Sequence, residues 1–445
     1  MRTSVAVFET VTAGLATLVA GMSLLLPVDF AWTTGSSALQ LDLLTHSMPR
    51  AIAAGAVVAL IVAVFATTVN HGLAAWGSAS CGAALLLVTH LVGRNSGPDT
   101  SLATLNFLDA FAGGVLLGGI AAAVLRGRLQ VFGWTLGALS SVVVGASLPV
   151  PHSSDLGDAN RYGRWPAVDF PPPWLIAVTL VLVAIGTVVN RHETRVERRS
   201  IELPMAPILA GLVYVVVTMF GTEWLTRRAD DVIDIALSAG ATVLAGLIAA
   251  MLLPRRDGTL VLLAVALAAV GSAIMPSWLP GWSAAPLVAL LALGIVLGFR
   301  RPGPVAGLLV LTALVFYCAL THDHDPHARV RNVGIAVVLA LVAGYCFGSA
   351  APRYNPTRVL GVSIVFVPSV VLALRDHVNR GDFTSATVDS GRWYVCQVPV
   401  TNSPVPYWTA LAIALGCLGG LLALRRLRAP TVFPVTDPDP SPAER

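Results

Sequence analysis

Fourteen apolar segments recur along this chain, and they constrain its fold more than any other feature. Each is close to the roughly 20 residues that an α-helix needs to cross the hydrocarbon core of a bilayer. Backbone polar groups in lipid must be bonded internally, so these segments are expected to be helical. The sequence therefore predicts an all-α polytopic membrane protein of about fourteen transmembrane helices, at residues 5–28, 51–69, 73–92, 104–125, 129–149, 174–189, 204–225, 232–253, 258–275, 284–299, 304–320, 333–349, 359–374 and 407–424.

The composition agrees with a membrane protein and excludes several functions. Of the 445 residues, 56% are hydrophobic and 12% are charged, and all 28 basic residues are arginine. Without lysine the chain has no Walker A or Schiff-base lysine, which argues against ATP-driven transport by this chain alone. We predict no cofactor and no nucleic-acid partner, and the lipid bilayer is the immediate partner. The lysine-free composition resembles that of proteins from high-GC actinobacteria.

The arginines also predict an orientation in the membrane. With both termini cytoplasmic, 17 of the 28 arginines fall in inside loops and 11 fall outside. The positive-inside rule favours this orientation. The expected location is therefore the inner (plasma) membrane.

Short elements recur in the same order in the two ends of the chain, as expected of a duplicated six-helix unit. The alternative is that a chain rich in Ala, Val, Leu and Gly offers chance matches. The paired elements are Gly21 with Gly271, Thr89-His90 with Thr321-His322, Asn106 with Asn332, Ser141 with Ser369, and Gly163-Arg164-Trp165 with Gly391-Arg392-Trp393.

The duplication predicts a 6+2+6 domain plan. Whether the seventh and eighth spans are an insertion or part of another fourteen-helix plan stays open at this stage. The predicted units are a first six-helix bundle at 1–190, a charged cytoplasmic linker at 191–203, two inserted helices at 204–257, a second six-helix bundle at 258–428 and a disordered cytoplasmic tail at 429–445.

This 6+2+6 plan resembles the fourteen-helix, drug:proton antiporter branch of the major facilitator superfamily. The loop at 298–303 (GFRRPG) keeps a Gly and Arg character, and the fifth span carries Gly133, Gly137 and Gly145. The resemblance implies a transporter that moves substrate between two bundles. The missing nucleotide-binding lysine leads us to expect that an ion gradient drives it.

The fourth span carries the leading candidate site. Asp109 is an ionisable residue at bilayer depth, which marks a functional-site hypothesis because burying a charge there is costly. Asn106 shares its helical face, and His90 at the end of the third span is expected at similar depth. His90 and Asp109 could accept a proton together. The alternative is that Asp109 pairs with Arg50 or Arg94 and only fixes helix packing.

Three further sets of residues are weaker candidates. Glu9 in the first span either takes part in transport or extends to the cytoplasmic interface. The loop histidines His322, His324 and His327 could bind zinc or form a pH-sensitive gate. The third set either anchors the chain at the interface or frames an outer vestibule for an anionic lipid head group, and it comprises Arg164, Trp165, Arg392 and Trp393.

Three classes of function follow from these features. The first is a transporter or flippase-like protein driven by an ion gradient, with an envelope lipid or a small molecule as substrate. The second is an envelope glycosyltransferase that uses polyprenyl-phosphate sugars, for which Asp29 and Asp42 are the acidic candidates. The third is a non-catalytic scaffold of an envelope-assembly complex. The sequence alone does not decide whether the protein is an enzyme.

Overall fold

The computed structural model describes most of the helical part of the chain. The described residues are 2–26, 38–95, 101–147, 170–191, 205–228, 231–254, 257–275, 279–321, 329–350, 352, 354–379, 383–388, 391–396 and 403–428.

Fifteen α-helices account for nearly all of these residues, and each predicted span corresponds to one helix, except that the span at 359–374 contains two. The break in that span falls at Pro368, whose missing N–H cannot continue a helical ladder. The helices are α1 (Arg2–Leu25), α2 (Ala38–Val69), α3 (Gly72–Asn95), α4 (Leu102–Val124), α5 (Arg128–Ser147), α6 (Pro173–Val189), α7 (Ala206–Arg228), α8 (Val232–Leu252), α9 (Asp257–Ile274), α10 (Ala284–Arg300), α11 (Pro304–Leu320), α12 (Arg329–Ala350), α13 (Asn355–Phe366), α14 (Val370–Asn379) and α15 (Val405–Leu427).

The lengths and compositions of these helices confirm a polytopic helical membrane protein. Twelve candidate spans are long and apolar enough to cross a membrane within the described residues, with α13 and α14 counted as one. The apolar helices α6 and α11 have 17 residues each, which corresponds to about 26 Å of helix. A two-stranded antiparallel sheet, β1 (Phe383–Val388) with β2 (Gly391–Cys396), lies in the connection before α15.

The helices pair in the same order in the two ends of the chain. In the first six, α1 packs on α4 and α5, α2 packs on α4, and α3 packs on α6. Correspondingly, α9 packs on α12 and on α13 with α14, α10 packs on α12, and α11 packs on α15. Between the two sets, α2 contacts α13 and α5 contacts α10, which is a reciprocal arrangement. The first six helices and the last set thus share one order of helix pairing.

The two remaining helices, α7 and α8, pack on each other and border both sets. α7 contacts α2, α13 and α14, while α8 contacts α9 and α15. These two helices therefore lie beside both bundles.

Close backbone contacts at glycine residues fix the position of α4 along α2 and the position of α12 along α10. A Cβ on Gly114 would collide with the Gly55 carbonyl oxygen, and one on Gly118 with the Ala59 carbonyl oxygen. In the second set, a Cβ on Gly344 or Gly348 would collide in the same way with the backbone of α10. Small residues permit such close helix approach in membranes.

These glycine contacts give an alignment of the two ends that differs from the sequence-based one at one position. Gly114 and Gly118 match Gly344 and Gly348 at an offset of 230 residues. Asp109 then corresponds to Leu339, and Asn106 corresponds to Ala336 and not to Asn332. The difference is four residues, about one helical turn. The second set therefore has no acidic counterpart of Asp109.

Candidate functional site

His90 and Asp109 lie against each other between α3 and α4. The distance between His90 Nε2 and Asp109 Oδ1 is 3.2 Å. The two residues are 1% and 0% exposed, so water and lipid are both excluded. The close approach of α3 and α4 follows from Gly82, where a Cβ would lie 2.9 Å from the Ala112 carbonyl oxygen.

The buried face of α4 is the face that the sequence predicts. Asn106 is 4% exposed, whereas Phe107, Leu108 and Phe111 are 38%, 44% and 47% exposed. Asp109 is the eighth residue of the helix, about 10 Å from its first turn. The pair is therefore inside the bundle and within the depth of the bilayer, on one side of its middle.

The Asp109 carboxylate has few polar neighbours. Neither of its oxygens has a further hydrogen-bond partner among the residues that the structure describes. With one shared proton the pair of side chains is neutral overall, and without that proton it carries one negative charge. A low-dielectric interior makes the two states very different in energy. A change in protonation would therefore change the net charge of a pair that is buried inside the protein.

Arg50, the alternative partner considered for Asp109, lies elsewhere. Its Nε is 2.8 Å from Glu223 Oε1, in an exposed pair that joins the N-terminal half of α2 to the last turns of α7. The sequence did not indicate this contact because the two residues are 173 positions apart.

Glu9 lies inside the protein, where α1 contacts the beginning of α5. It is 5% exposed and accepts a hydrogen bond from Gln130 Nε2 at 3.1 Å. The reason is the tight packing of α1 on α5, where a Cβ on Gly133 would meet the backbone of Thr10. The carboxylate is held inside the protein by this contact.

A matching carboxylate that the sequence analysis did not single out lies at the start of α9. Asp257 is 4% exposed, and its Oδ2 accepts hydrogen bonds from the backbone N–H of Tyr354 and from Thr357 Oγ1, both at 3.3 Å. Glu9 thus joins α1 to the beginning of α5, and Asp257 joins α9 to the beginning of α13. Each carboxylate connects the first and the fifth helix of its set. These contacts hold the helices together at that end.

We expect Gln130→Leu to destabilise the protein by about 1–3 kcal/mol, because it leaves the buried Glu9 carboxylate without its hydrogen-bond donor. The free energy of unfolding in mixed micelles would measure the effect. Glu223→Gln, which weakens an exposed ion pair, is the control and should have a smaller effect. Equal stability of Gln130→Leu and wild type would contradict this role of the hydrogen bond.

Several candidates fall where the structure gives no side-chain description. His322, His324, His327, Asp29, Arg164 and Trp165 lie outside the described residues, and Arg392 and Trp393 lie on β2, of which only the backbone is described. Asp42 lies on the described backbone of α2. Within the described ranges, no group of three His, Cys, Asp or Glu residues could hold a metal ion.

Fold and site together define a multi-pass helical membrane protein with a buried carboxylate–imidazole pair. No protein-family model matches the chain, and no curated protein matches it in sequence. Among solved structures, the chain is similar to the xylose transporter XylE from E. coli in a partially occluded inward-open conformation, with 10% identity and a TM-score of 0.48 over 94% of this chain and 99% of that one. It is also similar to FucP, a major facilitator superfamily transporter in an outward conformation, with 14% identity and a TM-score of 0.46 over 95% of this chain and 98% of that one.

Proposed function

We propose that this protein is an inner-membrane transporter or flippase-like protein driven by a proton gradient, with both termini cytoplasmic. The observation that carries the proposal is the fully buried His90–Asp109 pair at 3.2 Å. A buried carboxylate within the membrane is energetically costly, so its presence indicates a functional role. Reversible protonation is the role that this geometry supports.

The pair is connected by direct contacts to the boundary between the two helix sets. Asp109 precedes Ala110, whose carbonyl oxygen lies against Gly55 of α2. The next residue, Ala56, accepts a hydrogen bond at 3.4 Å from Ser363 of α13 in the second set. A proton-dependent shift of α4 would therefore act on α2 and on its contact with α13. Such a contiguous chain of packed groups can couple a site to a distant interface.

The test uses a deletion strain of the native host, restored with the wild-type gene. The readouts are the extractable envelope lipids and the retention of a dye or drug. We expect the gene to change at least one readout, and we expect a protonophore to cancel the rescue at a dose that spares ATP levels. A rescue that is insensitive to the protonophore would contradict proton coupling. If Asp29→Asn or Asp42→Asn abolished rescue and Asp109→Asn did not, the glycosyltransferase interpretation would replace this one.

A further inference from the structure

A cavity of about 200 Å³ lies between the two helix sets and is separate from the His90–Asp109 pair. α5 of the first set forms one wall, and α9, α10, α12 and α13 of the second set form the others. The wall side chains include Leu139, Leu267, Leu291 and Leu339. The cavity is therefore at the boundary that would have to rearrange during transport.

The chemistry of the wall is almost wholly apolar. Ser272 supplies the one side-chain hydroxyl among the residues that line the described cavity. That hydroxyl already bonds to Ser369 Oγ at 2.8 Å. A sugar or another polyol placed here would bury hydroxyl groups without partners, which is unfavourable. Apolar cavities of this size stay dry and accept apolar molecules instead.

The polar groups near the cavity are Ser369 and Arg375, which bond to residues at the C-terminal end of α9. The side chain of Arg375 donates hydrogen bonds to the backbone carbonyl oxygens of Ser272 and Met275, two residues of the cavity wall. Arg375 and Ser369 thus bond to wall residues at the C-terminal end of α9, although neither of them lines the cavity itself. The lining is hydrocarbon apart from Ser272, and the nearest polar groups lie behind the wall at that end.

We propose that the cavity binds the alkyl chain of a single-chain amphiphile, with the polar head toward Arg375. That the amphiphile is the transported substrate rests on the proposed function. That it binds in the cavity does not. The expected substrate is then a lipid-like molecule and not a carbohydrate.

The test is photolabelling of the purified full-length protein in nanodiscs with a diazirine-bearing dodecanoic acid, followed by peptide mapping. In wild type we expect labels on the cavity faces of α5, α9 and α12, and we expect unlabelled dodecanoate, but not xylose, to compete for them. Competition in wild type needs no variant and so does not depend on a mutant's folding. Labels confined to lipid-facing positions, or competition by xylose, would overturn the proposal.

A matched pair of variants on α12 locates the site. Ala340 lines the cavity and is 6% exposed, whereas Val338 on the same helix is 37% exposed. Ala340→Phe fills the cavity and should lower the labelling at least about tenfold, while Val338→Phe should leave it unchanged. Equal labelling of both variants would contradict the assignment.

Two readouts separate this inference from the proposed function. Cavity labelling of the wild-type protein tests the binding site, and the sensitivity of the cellular rescue to the protonophore tests proton coupling. If cavity labelling is found but the cellular rescue ignores the protonophore, the proton-coupled function fails and the binding site stands. If rescue depends on the protonophore but no cavity labelling is found, the alkyl-chain site fails and the proposed function stands.

Discussion

Asp109→Asn is expected to reduce the proton-dependent rescue of the deletion strain to the level of the empty strain. Asparagine has nearly the same size and keeps the helix packing, but it cannot bind or release a proton at the buried position beside His90. The measurement is the pair of cellular readouts, compared at equal amounts of protein in the membrane.

Glu9→Gln is the matched control for this substitution. Glu9 is also a buried carboxylate in a membrane-spanning helix, but it already has Gln130 as a hydrogen-bond partner. We expect the Glu9→Gln variant to retain rescue. Full rescue by Asp109→Asn would show that the aspartate is structural and would favour the scaffold interpretation.

Gly118→Leu is expected to have the largest effect on stability. Even a Cβ at this position would collide with the carbonyl oxygen of Ala59 on α2, and backbone atoms cannot move aside as a flexible side chain can. Overpacking of a tight core costs about 1–3 kcal/mol or more, so we expect little folded protein to remain in the membrane. Size-exclusion profiles of the detergent-solubilised protein after heating would measure the loss.

Gly77→Leu on α3 serves as the matched control, because a Cβ at Gly77 meets no atom within 4 Å. This variant should behave like wild type. If Gly118→Leu melted at the wild-type temperature, the close packing of α2 on α4 would be contradicted, and with it the alignment of the two helix sets.

The helices and the face of α4 could be predicted from the sequence, because both follow from local patterns. Apolar length gave the spans, and the spacing of Asn106 and Asp109 gave the buried face. The similar depth of His90 and Asp109 followed from their places at the ends of consecutive spans. Their contact agrees with that prediction, since the structure brings the two side chains to 3.2 Å.

Contacts between distant helices could not be predicted in the same way. The partner of Glu9 is 121 residues away and the partner of Arg50 is 173 residues away. Hydropathy gives the depth of a residue but not the rotation of its helix or the neighbour that it meets. For the same reason the sequence paired Asn106 with Asn332, four residues from the match that the glycine contacts give.

The proposed duplication would account for features that the two helix sets share. Ser141 lies against Gly21, and Ser369 bonds to Ser272, the neighbour of Gly271, so the predicted correspondences at these positions agree with the contacts. The position that matches Asp109 is occupied by Leu339, which lines the apolar cavity. The two helix sets thus pair their helices in the same order but differ at this position. Asp109 in one set and Leu339 in the other suit a division between proton coupling and cargo binding.

The most direct test of the account is pH-difference infrared spectroscopy of the purified protein, which detects protonated carboxyl groups. Because the chain has 24 acidic residues, the wild-type difference spectrum is compared with the spectra of the two variants. The account predicts one carboxyl band that changes with pH in wild type and in Glu9→Gln and is missing from Asp109→Asn. If Asp109→Asn kept every titrating carboxyl band of wild type, Asp109 would be contradicted as the proton-exchanging group.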